Sequence, residues 1–455
     1  MQKTTSKKTL QHTDSLQAAK KWLQSTQNKL SSTLRGLPQP YLRVGFILVP
    51  CVLYVIRAWQ YISNPQLYAE DGATWLTTAY NQGLRSLFTP DNGFAHTAER
   101  IWALLVTLFP LSYAPLLFDG GGFLLFVLLC YYLFSTRLQI VTNNYQRLFM
   151  GLSLGLIANF SEFFFNFANS VFLLGIIGLC IYLAKPSNNR AVRVLEKVLF
   201  VVTCVTLPFA WFFILIALFD SLWRKQRKLF FLVVSALGSI IQLLIHHFST
   251  YQRQTIPIST LASSRYTVIE FYNQIVTPAL RFTRIDVSPT ISEHHFLLML
   301  LFCLLLLGFL FYVAVRHATP SLKYLLFFLA VFTVSAFTGP LVGGHLSPAN
   351  ILKYMDTAQF GNRYFFYGIF GMLLMFGLTT SLYIKRQALY WFLLLFISFS
   401  LFSSALYSSF FIQKGFVNDT PAYKKGLAEL SKAKPGKTIT IPENPAGWFI
   451  ELKAK

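Results

Sequence analysis

Residues Ile101–Phe118, IWALLVTLFPLSYAPLLF, decide how this chain folds. The run is apolar enough to suggest a membrane crossing. Pro110 and Pro115 interrupt it, and its unbroken part, Ile101–Phe109, is too short to cross. Charge separates the two cases. If the run does not cross, the loops 135–147, 185–197, 224–228, 316–323 and 385–386 share a side with the N-terminus. These loops carry Arg137, Arg147, Lys185, Arg190, Arg193, Lys197, Arg224, Lys225, Arg227 and Lys228. If it does cross, all of them face outward, against the tendency of Lys and Arg to stay cytoplasmic. The charges therefore predict a re-entrant or surface helix over 99–110.

Working outward, the chain reads as an all-α polytopic membrane protein. Of its 455 residues, 54% are hydrophobic and only 12% charged, a balance that excludes an ordinary soluble domain. Apolar runs near membrane-spanning length recur, separated by short basic pieces. Expected spans are 41–61, 114–135, 148–163, 168–184, 197–207, 209–223, 229–248, 294–315, 322–342, 363–384 and 388–411, about eleven segments. The net charge of +22 would suggest nucleic acid, but the bases lie between apolar segments, where membrane topology puts them. No nucleic-acid partner is expected; anionic membrane lipids are.

Three regions follow. Residues 1–40 form a basic cytoplasmic segment, with Leu16, Leu23, Leu30 and Leu37 spaced for an amphipathic helix on the inner leaflet. Residues 41–411 form the membrane domain, with outer loops 62–113, 249–293 and 343–362. Residues 412–455 form an extracytoplasmic tail. The protein is thus expected in the cell membrane, with its N-terminus inside and its C-terminus outside. The five cysteines all fall in apolar segments, without metal-ligand spacing, and read as small core residues.

The chemistry gathers in the first outer loop, where Glu70 and Asp71 are adjacent, followed by Gly72 and later by His96, Glu99 and Arg100. Carboxylates at a membrane boundary are costly to keep and point to function. The alternative is a helix start, with acids favoured by the dipole. In NFSEFFFNFANS, Asn159, Glu162, Asn166 and Asn169 lie at a turn between segments. Such amides could grip sugar hydroxyls or simply bond neighbouring helices. Arg57, near the outer end of the first span, and Arg363, in GNRYFF, suit phosphate or the lipid surface. The glycines 120–122 are no phosphate loop, since no Lys-Ser/Thr follows.

Ala69-Glu70-Asp71-Gly72 after the first span, Asn166 with Asn169, Arg363-Tyr364-Phe365-Phe366, and Asn444–Trp448 (NPAGW) together resemble a group of bacterial multi-span proteins within the GT-C superfamily of integral-membrane glycosyltransferases. The resemblance covers most of the chain, through short motifs. It implies a GT-C-like fold and transfer of a sugar from a polyprenyl-phosphate carrier to an envelope glycan or lipid acceptor on the outer face. It makes Asp71 or Glu70 the catalytic base. Substrate binding would fall to Arg57, His96, Arg100, Glu162, Asn166, Asn169, Arg363 and Tyr364. Many relatives carry Asp before Glu, or Asp-x-Asp; the order Glu70-Asp71 here leaves open which acid is the base. No cofactor is assigned, and a divalent metal is left open. The rival classes are a flippase or transporter of lipid-linked sugars, a polysaccharide polymerase or ligase using loop 249–293, and a non-catalytic wall-assembly scaffold. A flippase should show inverted repeats, and none is visible.

Overall fold

A computed structural model describes residues 25, 39–138, 140, 144–157, 166–222, 228–249, 268, 271–276, 279, 292–342, 366–383, 420–445 and 447–455. Nearly all of the basic segment 1–40, most of loop 249–293, all but the last residue of the stretch 158–166, the loop 343–362 and the expected span 388–411 lie outside these residues. The chain is mostly helical. Three helical stretches among the described residues are long and apolar enough to cross a membrane: Leu111–Leu133, Leu229–Phe248 and Glu293–His317. Shorter apolar helices accompany them.

In chain order the helices are α1 (Gln39–Arg57), α2 (Thr97–Val106), α3 (Ala114–Leu133), α4 (Asn144–Leu156), α5 (Ser170–Leu183), α6 (Arg190–Thr206), α7 (Trp211–Leu222), α8 (Leu229–Phe248), α9 (Glu293–His317), α10 (Pro320–Val342) and α11 (Phe366–Tyr383). Helix α2 has 10 residues, about 15 Å at 1.5 Å per residue, half the thickness of a bilayer core. It ends before Pro110. Pro115 then sits in the first turn of α3, where its missing N–H costs nothing. The expected segment 197–207 begins earlier, at Arg190, because Asn189 caps the helix by accepting from the N–H groups of Ala191 and Val192.

Aromatic rings fill the interior. Phe200 packs edge-on against Phe213 and Phe231, and Phe328, Phe332 and Tyr367 interlock beside Phe212. The outward faces of α8 and α9 carry exposed Leu, Ile and Phe along their length, as lipid-facing helices do.

The connections gather at two ends. At one end, Arg137 donates to the carbonyl of Lys185 and to Glu196, Lys228 donates to the carbonyl of Tyr182, and Thr319 to that of Ile140. At the other, Ala95 donates to Gln242 at 3.1 Å, Ala98 to Thr206 at 2.9 Å, and Phe167 to Asp71 at 3.0 Å. Asp119, in the second turn of α3, and Tyr132, near its last residue, are about 20 Å apart along its axis.

The tail departs from the all-helical expectation. Helix α12 (Thr420–Lys432) leads into an antiparallel hairpin, β1 (Thr438–Glu443) with β2 (Trp448–Lys453), paired from Thr438 with Lys453 to Glu443 with Trp448. Alternation in TITIPE and WFIELK explains it: Ile439, Ile441, Ile450 and Leu452 are buried between exposed neighbours. The hairpin is no free appendage. Thr420 donates to Asn64, Tyr423 to the carbonyl of Leu111, Asn81 to the carbonyl of Glu451, and Lys453 to Asn81. It therefore packs on the loop that follows α1.

Candidate acidic site

The turn carrying Glu70 and Asp71 is held on both sides by the tail. Ala69 donates its N–H to the carbonyl of Asn444, and Ala73 donates to Glu443 Oε1 at 2.6 Å. Asn444 donates in turn to Gln66. Between the clamps the backbone takes unusual forms. Ala69 has φ of 51°, and Asp71–Leu76 winds as a wide π-type helix, a form frequent at functional sites. Gly72 admits the arrangement. A Cβ there would stand 1.9 Å from Glu443 Oε2 and 2.8 Å from Ile450.

Asp71 is buried, 1% exposed. Its Oδ2 accepts from the Phe167 N–H, and its Oδ1 has no partner among the described residues. Burial holds its carboxyl well above the usual range; the Phe167 N–H and, more weakly, the Ala168 N–H oppose this, and the charges of Glu70 and Glu99 reinforce it. Glu70 is half-buried beside it.

The Phe167 N–H is in place because a loop presses against α3. Asn166 Oδ1 accepts from both the backbone and the side chain of Asn169, closing a tight turn before α5. Trp102 of α2 stacks on Phe167 with centroids 5.1 Å apart. Gly122 makes the approach feasible, since a Cβ there would meet the Asn166 carbonyl oxygen at 2.4 Å. Thus Gly121 and Gly122 serve packing, while Gly120 faces open space. Asp119 is one helical turn before Gly122, on the same face. It is 1% exposed, interacts electrostatically with Asp71, and has neither carboxyl oxygen partnered among the described residues.

Glu99 and Arg100 complete the surroundings. Glu99 Oε1 accepts from Ser170 Oγ at 2.6 Å, and its Oε2 lacks a partner among the described residues. Burial pushes its carboxyl up to about 7, against the Ser170 hydrogen bond. Arg100 donates from Nε to the carbonyl of Ala95 and from Nη1 to Thr78 Oγ1, and lies over the Trp75 ring at 5.0 Å. It is buried, with Asp91 and Glu99 as its electrostatic partners. His96 has a left-handed backbone, φ of 50°, and packs on Trp75 at 4.9 Å. Burial, aided by Arg100, lowers its pKa to about 4, so it is neutral at pH 7.

Of the residues singled out in the sequence, the structure brings Glu70, Asp71, His96, Arg100, Asn166 and Asn169 to one end of the bundle. Arg57 does something else: its Nη1 donates to the carbonyls of Gly155 and Ile157, at 3.1 and 3.0 Å, tying α1 to the end of α4. Glu162, Arg363 and Tyr364 lie outside the described residues. Two members were missed. Asp119 is hidden inside an apolar run, although an acid in such a segment is itself a signal. Glu443 sits in the quoted tail motif, IPENPAGW, but no local pattern ties it to residue 71. Among the described residues, no three His, Cys, Asp or Glu side chains converge as metal ligands.

No protein-family profile matches this chain, and neither a curated protein nor a solved structure is significantly similar to it.

Proposed function

We propose that this protein is a membrane glycosyltransferase of GT-C type. It moves a sugar from a polyprenyl-phosphate carrier to an envelope glycan or lipid acceptor at the outer face of the cell membrane. The observation that carries the proposal is Asp71: a buried carboxylate, fixed through one oxygen by the Phe167 N–H, with its other oxygen unpartnered among the described residues. A side chain held this way is oriented yet has an oxygen left to accept a proton.

In the proposed reaction the acceptor hydroxyl oxygen forms a bond to the anomeric carbon. The bond from that carbon to the phosphate oxygen breaks, and its electron pair leaves with the polyprenyl phosphate. The hydroxyl proton passes to Asp71, with Glu70 as the other candidate base. One attack from the opposite face inverts the anomeric centre. Polyprenyl phosphate is already a good leaving group, so positive charge rather than an acid is required. Arg100 is the buried guanidinium packed on Trp75 beside the Asp71 turn, and Arg363 remains a candidate from the sequence.

Charge and parity support this side of the membrane. Arg137, Lys185 and Lys228 gather at the end opposite Asp71, as cytoplasmic bases would. The tail packs on the loop after α1, so an even number of crossings separates the two. The ten spans expected after that loop meet this condition, with the C-terminus outside.

Purified protein in lipid nanodiscs, given radiolabelled undecaprenyl-phosphate-linked hexoses and an envelope lipid extract, tests the function. Donor-dependent label in the acceptor fraction is expected. Donors left intact across the sugar panel would contradict it.

A further inference from the structure

The C-terminal hairpin reaches the acidic turn across some 370 residues of chain, and its contact is not generic packing. Glu443 and Asn444 bracket Glu70 and Asp71, one hydrogen bond falling just before the pair and one just after it. The carboxyl of Glu443 is 3% exposed; its Oε1 accepts from the Ala73 N–H, and the neighbouring Gly72 N–H adds a weaker interaction with its charged form. Oε2 is buried, unpartnered among the described residues, and aimed at Gly72. If the hairpin were merely tethered, a glutamine or an apolar side chain would suit this place better, since an unpartnered buried carboxyl is costly. Ile441 and Ile450, flanking it on the two strands, are fully buried, so the hairpin has little room to shift.

We propose that Glu443 is a positioning residue of the Asp71 site, and that the site is incomplete without the segment 420–455. The proposal rests on the reading of Asp71 as the base. Through Oε1 on the Ala73 N–H it fixes the π-type turn that aims Asp71. Burial, with the charges of Asp71 and Glu70, holds its own carboxyl well above the usual range.

Glu443→Gln and Glu443→Ala test this role. The amide oxygen of glutamine still accepts from Ala73, whereas alanine does not. Two readouts are compared in nanodiscs: the infrared titration of the Asp71 carboxyl band, assigned as the band lost in Asp71→Asn, and transfer from radiolabelled undecaprenyl-phosphate glucose. In Glu443→Ala, kcat should fall about 100-fold at nearly constant KM, the expected cost of a misplaced base, and the Asp71 band should titrate higher as the Phe167 hydrogen bond loosens. Glu443→Gln should rescue both. If Glu443→Ala does not fold, Glu443→Asp, one methylene short of Ala73, is the second probe and should show the same two changes. A folded Glu443→Ala or Glu443→Asp protein with wild-type kcat and an unmoved Asp71 band overturns the proposal. A shifted band in a protein that consumes no donor instead sinks the transferase reading and leaves the positioning role standing.

Discussion

The two ends of this bundle treat the same residue type in opposite ways. At the basic end, Glu196 receives two hydrogen bonds from Arg137, at 2.6 and 3.0 Å, and one from Tyr132. Asp220 accepts from Tyr182 at 2.9 Å and from Tyr324, with Lys228 at 3.8 Å. Every oxygen of these two acids is matched. At the other end, Asp71, Glu99, Asp119 and Glu443 each keep at least one buried oxygen without a partner among the described residues. A paired acid is explained by the fold. A buried acid left half-paired lowers stability, and persists where something beyond folding requires it.

Four perturbations test this contrast, in decreasing order of effect. Asp220→Ala removes the acceptor of the Tyr182 and Tyr324 hydroxyls, and should destabilise the protein by about 3 kcal/mol. Its folded fraction should transfer sugar at the wild-type rate; chemical unfolding and initial rates in detergent check both. Gly122→Ala forces the Asn166 carbonyl away from α3 and should cost about 2 kcal/mol. It should also slow transfer, because the Phe167 N–H moves with the loop. Asp119→Leu should do the reverse of Asp220→Ala: a gain of about 1 kcal/mol in stability with a fall in transfer. Equal destabilisation by the Asp119 and Asp220 variants would remove the distinction between the ends.

The smallest effect is a pH dependence. Glu99 titrates near 7 in the folded protein, against an ordinary 4.5. Between those values the folded state holds a proton that the unfolded chain has lost. Its contribution is therefore complete below about 4.5 and declines as pH rises through 7. Glu99→Gln should flatten that decline, reducing the drop in thermal midpoint between pH 5 and 8 by about 2–4 °C. A slope identical to the wild type would remove Glu99 as its source.

Much of this organisation was legible in the chain because it follows from local rules. Hydropathy marks the apolar helices, and Pro110 with Pro115 marks the break that leaves α2 too short to cross. Glu70 and Asp71 stand out because little else near them is charged. What stayed hidden is what depends on distant partners. Arg57 looks free for phosphate until α4 presents two carbonyls to it. Asp119 vanishes in a window average dominated by Leu and Phe. The tail reads as an appendage, since nothing in IPENPAGW announces that Glu443 will meet the N–H of Ala73. Gly121 and Gly122 are legible as close packing only once Asn166 and Phe167 are seen against them.

The most direct measurement compares initial rates of transfer from radiolabelled undecaprenyl-phosphate glucose by the wild type, Asp71→Asn and Glu196→Gln, each normalised to folded protein. The account predicts a loss of about 1,000-fold or more for Asp71→Asn, as removal of a general base brings, and an unchanged rate for Glu196→Gln. Equal rates for Asp71→Asn and the wild type would contradict it.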